Sequence, residues 1–347
     1  SQELSWPKQL AAVAGAEFSI PRIAAPGCTP AFASPLGSFR RVDGTPVTAN
    51  KLCAPLEPGV SLPTSNLSIE GATAAAALTE TPEAPLAGRD RPAVVSRVLP
   101  SGMTQVQAMR AMQPTFVTVD FGGNEILQAQ AGLFLPNVTV TPFATFRTAY
   151  DQVIDNVRAT GAKALLMQLP SDIRQFPTIR TAQEIAAQRA AFAVMNVTVS
   201  GDCDESPNFV FVRGKVITAV ATGAGMARAG AGPYTLSCAD VPFTADYILT
   251  PADIESINGL LAQMNGEIAA QAQANGYALA SLDAVYRKSK KGVPFDLQAF
   301  MTSATPYGPR ISLDGVHPNE AGQRLITRNA VKAINAKYAA HLVPPQR

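Results

Sequence analysis

The sequence predicts an α/β fold built on a mostly parallel sheet, and three observations carry that expectation. An apolar, β-branched run, Val117-Thr118-Val119, stops at Gly122-Gly123-Asn124, the way a buried parallel strand delivers polar side chains to the carboxyl edge of a sheet. Residues 143–160 then place Phe146, Tyr150, Val153, Ile154 and Val157 on one helical face, with Gly161 as the stop. The apolar run 164–169 follows, closed by Pro170. Strand, helix and strand make one βαβ unit, hence parallel neighbours and a right-handed crossover. With 47% hydrophobic and 16% charged residues in 347, the chain can build a substantial core and is not of disordered composition.

In chain order, Trp6, Leu10 and Val13 keep helical spacing within residues 1–15, with Pro7 suited to a first turn and Gly15 to a stop. Residues 16–65, rich in Pro, Gly, Ala and Ser, read as an irregular insertion. A short strand at 66–69 leads to Gly71, and a helix begins over 72–78. Residues 80–103, punctuated by Pro82, Pro85, Pro92 and Pro100, read as loop. Met103, Val106 and Met109 mark a helix over 103–111 whose methionines fill core. The next strand spans 115–121, and 132–140 is a linker. Residues 171–250 leave the βαβ rhythm: 208–212 reads as a strand and 214–231 is rich in small residues. We read a second insertion there, at the carboxyl edge of the sheet, either a cap over the substrate site or a decorative excursion. Thr250 as N-cap and Pro251 as first residue start a helix reaching about residue 275, with Ile254, Ile257, Leu261, Met264 and Ile268 as its buried stripe and Gly276 as its stop. Residues 277–283 are a further strand, and a closing helix spans 320–340. The whole, 1–347, reads as a single domain with insertions at about 16–65 and 171–250.

Net charge is +2, and the one basic run, Arg287-Lys288-Ser289-Lys290-Lys291, has no interleaved aromatics. It reads as a solvated loop, which argues against nucleic acid as a partner. No apolar run reaches the length of a membrane span. Four cysteines fall into two local pairs, Cys28 with Cys53 and Cys203 with Cys238, each flanking a loop-rich segment. An even count so placed points to two disulfides and an oxidising compartment, so a secreted, periplasmic or cell-surface protein; free buried thiols are the alternative. The acidic group Asp202, Asp204 and Glu205 reads as a solvated turn rather than a calcium site.

Chemistry concentrates at Ser312-Leu313-Asp314-Gly315-Val316-His317-Pro318-Asn319, which holds one of only two histidines. A neutral imidazole shuttles protons near neutral pH, and a carboxylate partner fixes its tautomer and stabilises the imidazolium. A D-x-x-H turn brings Asp314 to the Nδ1 side of His317 and leaves Nε2 facing a nucleophile. Pro318 sets the entry angle of the last helix, and Asn319 suits its N-cap. Upstream, Asn124 can donate its amide to an oxyanion, and Gly123 permits close approach of substrate and backbone. Taken alone, each of these has a structural reading: a polar loop pair, a capping turn residue, a turn glycine.

Together, in order, these blocks resemble those of the SGNH (GDSL-type) hydrolases. Asp314 and His317 match that family's last block. Gly122-Gly123-Asn124-Glu125 matches its Gly-x-Asn-Asp turn, with Glu125 in place of aspartate, and Asn66–Thr73 matches its second block, with Gly71 as backbone oxyanion donor. The Gly-Asp-Ser block that carries the family's nucleophile is absent. The resemblance implies a flavodoxin-like three-layer α/β/α fold in which the Gly-Asp-Ser strand is first and central. It also places the start of this chain just downstream of that block, so the serine is expected upstream of Ser1 and the sheet is expected to lack its central first strand. The implied activity is hydrolysis of a small-molecule or lipid acyl ester, with His317 as general base, Asp314 orienting it, Asn124 and Gly71 as oxyanion donors, and no metal or organic cofactor. A non-catalytic secreted binding module on a degenerate hydrolase fold is the alternative.

Overall fold

The structure, a computed structural model, describes residues 2–46, 53–87, 91–290 and 293–346. Helices α1 (Trp6–Val13), α2 (Ala74–Thr79), α3 (Arg91–Val95) and α4 (Gln105–Ala111) precede strand β1 (Phe116–Val119), which is followed by α5 (Phe143–Arg158) and β2 (Lys163–Gln168). Next come β3 (Ile179–Thr181), α6 (Ala182–Ala186), α7 (Arg189–Val194), β4 (Val197–Val199), β5 (Phe209–Phe211), α8 (Val212–Arg228), β6 (Tyr234–Leu236) and β7 (Ile248–Leu249). The chain closes with α9 (Pro251–Ala274), β8 (Ala278–Ser281), α10 (Asp283–Lys290), α11 (Leu297–Thr302) and α12 (Glu320–Tyr338).

The expected parallel sheet is present, in the order β1-β2-β8, with Val119 beside Leu166 and Leu166 beside Leu279. Its middle strand is the driest part of the molecule: Ala164, Leu165 and Leu166 are fully buried. Helices cover both faces, α9 against β2 with α5 beside it, and α12 against β8 with α1 beside it. The helix starts follow the local chemistry. At α9, Thr250 and Asp253 form a reciprocal capping box behind Pro251, and Ile254, Ile257, Leu261, Met264 and Ile268 are all buried. At α12, the Asn319 side chain accepts from Gly322 N.

Three expectations are corrected. Residues 66–69 are not a strand but irregular chain, because no neighbouring strand takes up their backbone groups. The outer edge of β1 is likewise unpaired among the described residues, and Phe116, Val117 and Thr118 are only half-buried. The basic run is not a solvated loop: residues 287–290 lie in α10, Ser289 is fully buried and Lys290 donates to the carbonyls of Arg174 and Ile179; Lys291 lies outside the described residues. The demanding glycine of the Gly-Gly turn is Gly122, not Gly123: its φ is +113° and a Cβ there would stand 2.7 Å from Leu169 Cδ1.

The stretch 171–250 is more ordered than its composition implies. It holds an antiparallel sheet, β3-β5-β7, and a parallel pair, β4-β6. The small-residue segment is the long helix α8, and Gly223 explains the composition: a Cβ there would stand 2.7 Å from the carbonyl oxygens of Met195 and Asn196. Both disulfides, Cys28–Cys53 and Cys203–Cys238, are formed. No described helix is long and apolar enough to cross a membrane.

Candidate active site

The Asp314–His317 turn is closed by its own backbone, with Ser312 N donating to His317 O at 2.8 Å. Gly315 permits it: φ is +77°, and a Cβ would stand 2.3 Å from Thr178 Cγ2 and 2.8 Å from Tyr307 Cζ. Asp314 Oδ1 accepts from Val316 N and His317 N, each at 2.8 Å, while Oδ2 meets His317 Nδ1 at 2.7 Å. The His317 side chain is 61% exposed, and among the described residues nothing hydrogen-bonds its Nε2. The D-x-x-H spacing therefore pairs carboxylate and Nδ1 as expected and leaves Nε2 open.

Burial pushes the Asp314 carboxyl up, but the hydrogen bond and charge of His317 and the two backbone N–H groups outweigh it and hold it well below the usual carboxylate range. The Asp314 hydrogen bond in turn raises His317, against an opposing burial effect. The sign follows: the pair's contribution is complete between the ordinary carboxylate value of about 3.9 and the ordinary imidazole value of about 6.5, is lost as pH rises through the elevated His317 value, and is lost as pH falls through the depressed Asp314 value. The free base that can accept a proton dominates only above the elevated His317 value. Proton NMR of the two histidines is expected to show His317 titrating above the ordinary value of about 6.5, and Asp314→Asn to bring it down. A midpoint at or below the ordinary value with Asp314 intact would dissolve the pairing.

The other two blocks meet each other. Asn124 Nδ2 donates to Ala72 O at 2.8 Å, which sets the amide beside Gly71. Beneath them lies Glu125, 2% exposed, a residue to which the sequence assigned no role. Its Oε1 accepts from Ala74 N at 2.7 Å, at the start of α2, and its Oε2 from Gly122 N at 3.0 Å. One buried carboxylate thus ties the glycine block to the turn after β1, and burial pushes its pKa up. Arg91 donates to Glu70 O and pairs with Glu80, buttressing the Glu70–Gly71 bend. Glu70 lies close enough to raise His317 electrostatically. The segments around residues 71 and 124 therefore meet.

Sequence reading missed two further charged residues here. Asp120, which directly follows β1, is exposed at its surface, yet the protein packed around its carboxyl pushes it up to about 6 against a hydrogen bond from Trp6. The Tyr150 hydroxyl, raised by burial and then by Asp120, is buried without a partner. The available signal was a lone carboxylate in an apolar run. Arg213, in the first turn of α8, acts on His317 electrostatically across the fold; nothing in the sequence links it to residue 317.

Metal-ligating residues are scarce. The one cluster among the described residues, Asp202, Cys203 and Cys238, has both sulfurs in a disulfide, Asp202 accepts from Ser237 Oγ and Cys238 N, and Asp204 pairs with Arg189.

No curated protein and no solved structure matches the chain. A family model does: the one described as GDSL-like Lipase/Acylhydrolase matches residues 32–330, a span that includes Gly71, Asn124, Asp314 and His317. The match spans most of the chain, and the chain belongs to the GDSL-like lipase/acylhydrolase family of ester-bond hydrolases.

Proposed function

We propose that the protein hydrolyses carboxylic acyl esters through a Ser-His-Asp mechanism. The observation that carries this reading is the 2.7 Å pairing of Asp314 Oδ2 with His317 Nδ1, which leaves Nε2 open; the Asn124–Ala72 hydrogen bond, which brings the Asn124 amide next to Gly71, supports it. His317 Nε2 takes the serine proton as the hydroxyl attacks the ester carbonyl, then returns it to the departing alkoxide; water repeats the sequence on the acyl-enzyme. Asp314 steadies the imidazolium. Asn124 Nδ2 and Gly71 N–H receive the developing oxyanion, joined by the N–H of the nucleophile residue.

The nucleophilic serine is proposed to arrive on a strand N-terminal to Ser1 that pairs with the outer edge of β1. The unpaired and half-buried edge of β1 supports this. Residues 1–347 are read as one hydrolase domain, and the two disulfides support a secreted, periplasmic or cell-surface location.

The test is hydrolysis of a short-chain chromogenic ester by residues 1–347 and by a chain extended N-terminally through a serine-bearing strand. Asn124→Ala in the active form is expected to lower kcat by about two to three orders of magnitude. Near-normal kcat in that variant would remove Asn124 from the oxyanion site. Inertness of both chains across ester types would favour a binding module on a degenerate hydrolase fold.

A further inference from the structure

A cavity of about 350 Å³ opens between the segment that follows Asn124 and residues 211–247, at the small end of ligand pockets, which run from about 300 to 1,000 Å³. One wall is the 3-10 turn Leu127–Ala131, which directly follows Asn124-Glu125-Ile126. The facing wall belongs to residues 171–250: Phe211, Arg213 and Tyr247. This is the insertion for which a substrate-shaping cap and a decorative excursion were both open.

The facing wall is built to hold its shape. Tyr247 has a left-handed backbone, φ +66°, unusual for an aromatic residue. Its N–H donates to Ala131 O at 2.7 Å and its carbonyl accepts from Phe211 N at 2.9 Å, so it straps the two walls together. Its ring lies against Gly214, where a Cβ would stand 2.2 Å from Tyr247 Cδ1. The first turn of α8 is thereby pressed onto the ring, and Arg213 beside it is directed to the cavity.

Arg213 is the only charged residue in the lining, which is otherwise mostly apolar with a few neutral polar groups. It is half-buried. Its guanidinium carbon stands 4.7 Å from the Phe32 ring centroid, so its face is packed on an aromatic. Among the described residues it makes no ion pair and no hydrogen bond. A guanidinium stacked by its face keeps its N–H edge free, and that edge matches a carboxylate or phosphate in bidentate fashion. Val212 N, adjacent to Arg213, donates to Thr178 O at 2.9 Å, and Thr178 Cγ2 packs on Gly315 of the Asp314–His317 turn, where a Cβ would stand 2.3 Å from it; the Arg213 segment is thus one residue removed from that turn, and its positive charge acts on His317 and Tyr307.

We infer that Arg213 recognises an oxyanion, a carboxylate or a phosphate, carried by the ester substrate, and that this hydrolase takes anionic esters in preference to neutral ones. The inference rests on the ester-hydrolase reading for the site it adjoins. An apolar cavity with one unpaired cation penalises a neutral ester, which would leave the guanidinium desolvated and unmatched, and rewards an anionic one.

The experiment is calorimetric binding in the His317→Ala background, where turnover does not intervene, with two matched pairs: monomethyl glutarate against methyl butyrate, and acetylglycerol phosphate against acetylglycerol. The anionic member of at least one pair is expected to bind about ten- to a hundredfold more tightly, and the pair that shows it distinguishes carboxylate from phosphate. Arg213→Gln should collapse the ratio toward one, and Arg213→Lys should retain part of it. Thermal melting of each variant reports folding. Equal binding within both pairs, no binding of either anion, or a preference that survives Arg213→Gln in a folded protein overturns the inference. Turnover by the active form separates the two readings: hydrolysis without anionic preference removes the Arg213 assignment alone, whereas anion binding without any hydrolysis removes the esterase reading alone.

Discussion

Asp314→Asn is expected to lower kcat for ester hydrolysis by about four orders of magnitude while leaving the fold intact. The geometry gives the reason. Oδ1 of Asp314 is committed to two backbone N–H groups, those of Val316 and His317. An asparagine must keep its carbonyl oxygen there, which turns its NH2 toward His317 Nδ1. That nitrogen then becomes an acceptor, the ring proton moves to Nε2, and Nε2 can no longer take a proton from a nucleophile. The variant loses the base function without losing a hydrogen bond, so its melting temperature should stay close to that of the parent. The residual rate should also reach its plateau at lower pH, because the carboxylate that raises His317 is gone. A kcat within tenfold of the parent would take Asp314 out of the mechanism.

Glu125→Ala is expected to destabilise the protein by about 2 to 6 kcal/mol. Two backbone donors, Ala74 N and Gly122 N, would lose their acceptor where water is excluded, at about 1 to 3 kcal/mol each. Glu125→Gln should fall between the two: its oxygen can serve one N–H, but its NH2 faces the other donor. Urea unfolding of the three proteins measures this. Because Glu125 ties the start of α2 to the turn after β1, the loss should also loosen Asn124 relative to Gly71, and turnover should fall more than that of a distant core variant of equal stability. Unchanged stability in Glu125→Ala would mean that the two amides find other acceptors.

The elements legible in the sequence were those whose partners lie nearby in the chain. Helices α5, α9 and α12 could be read because their buried stripes and caps recur every three or four residues. Strand β2 could be read because a central parallel strand is apolar throughout, and β8 because its short apolar run directly follows the Gly276 stop of α9. The strand expected at 66–69 failed on the opposite ground: a strand exists only if another chain segment takes its hydrogen bonds. Helix α8 was passed over because its glycines, read locally, signal loop; the carbonyls that require Gly223 belong to residues 195 and 196.

The same division runs through the candidate site. By itself the sequence determined the D-x-x-H turn, the Gly-Gly-Asn turn and Gly71, because each is a short stretch whose geometry follows from adjacent residues. It also placed the cysteines so that the two disulfides close local segments. Only the tertiary structure decided that Asn124 meets Ala72, that Glu125 clamps two segments together, that the surroundings of Asp120 raise its carboxyl and that Arg213 stands over Phe32. The physical reason is range. Hydrogen-bonded turns and caps are settled within a few residues, whereas the pairing, burial and electrostatic environment of a charge depend on which distant segments the fold packs around it.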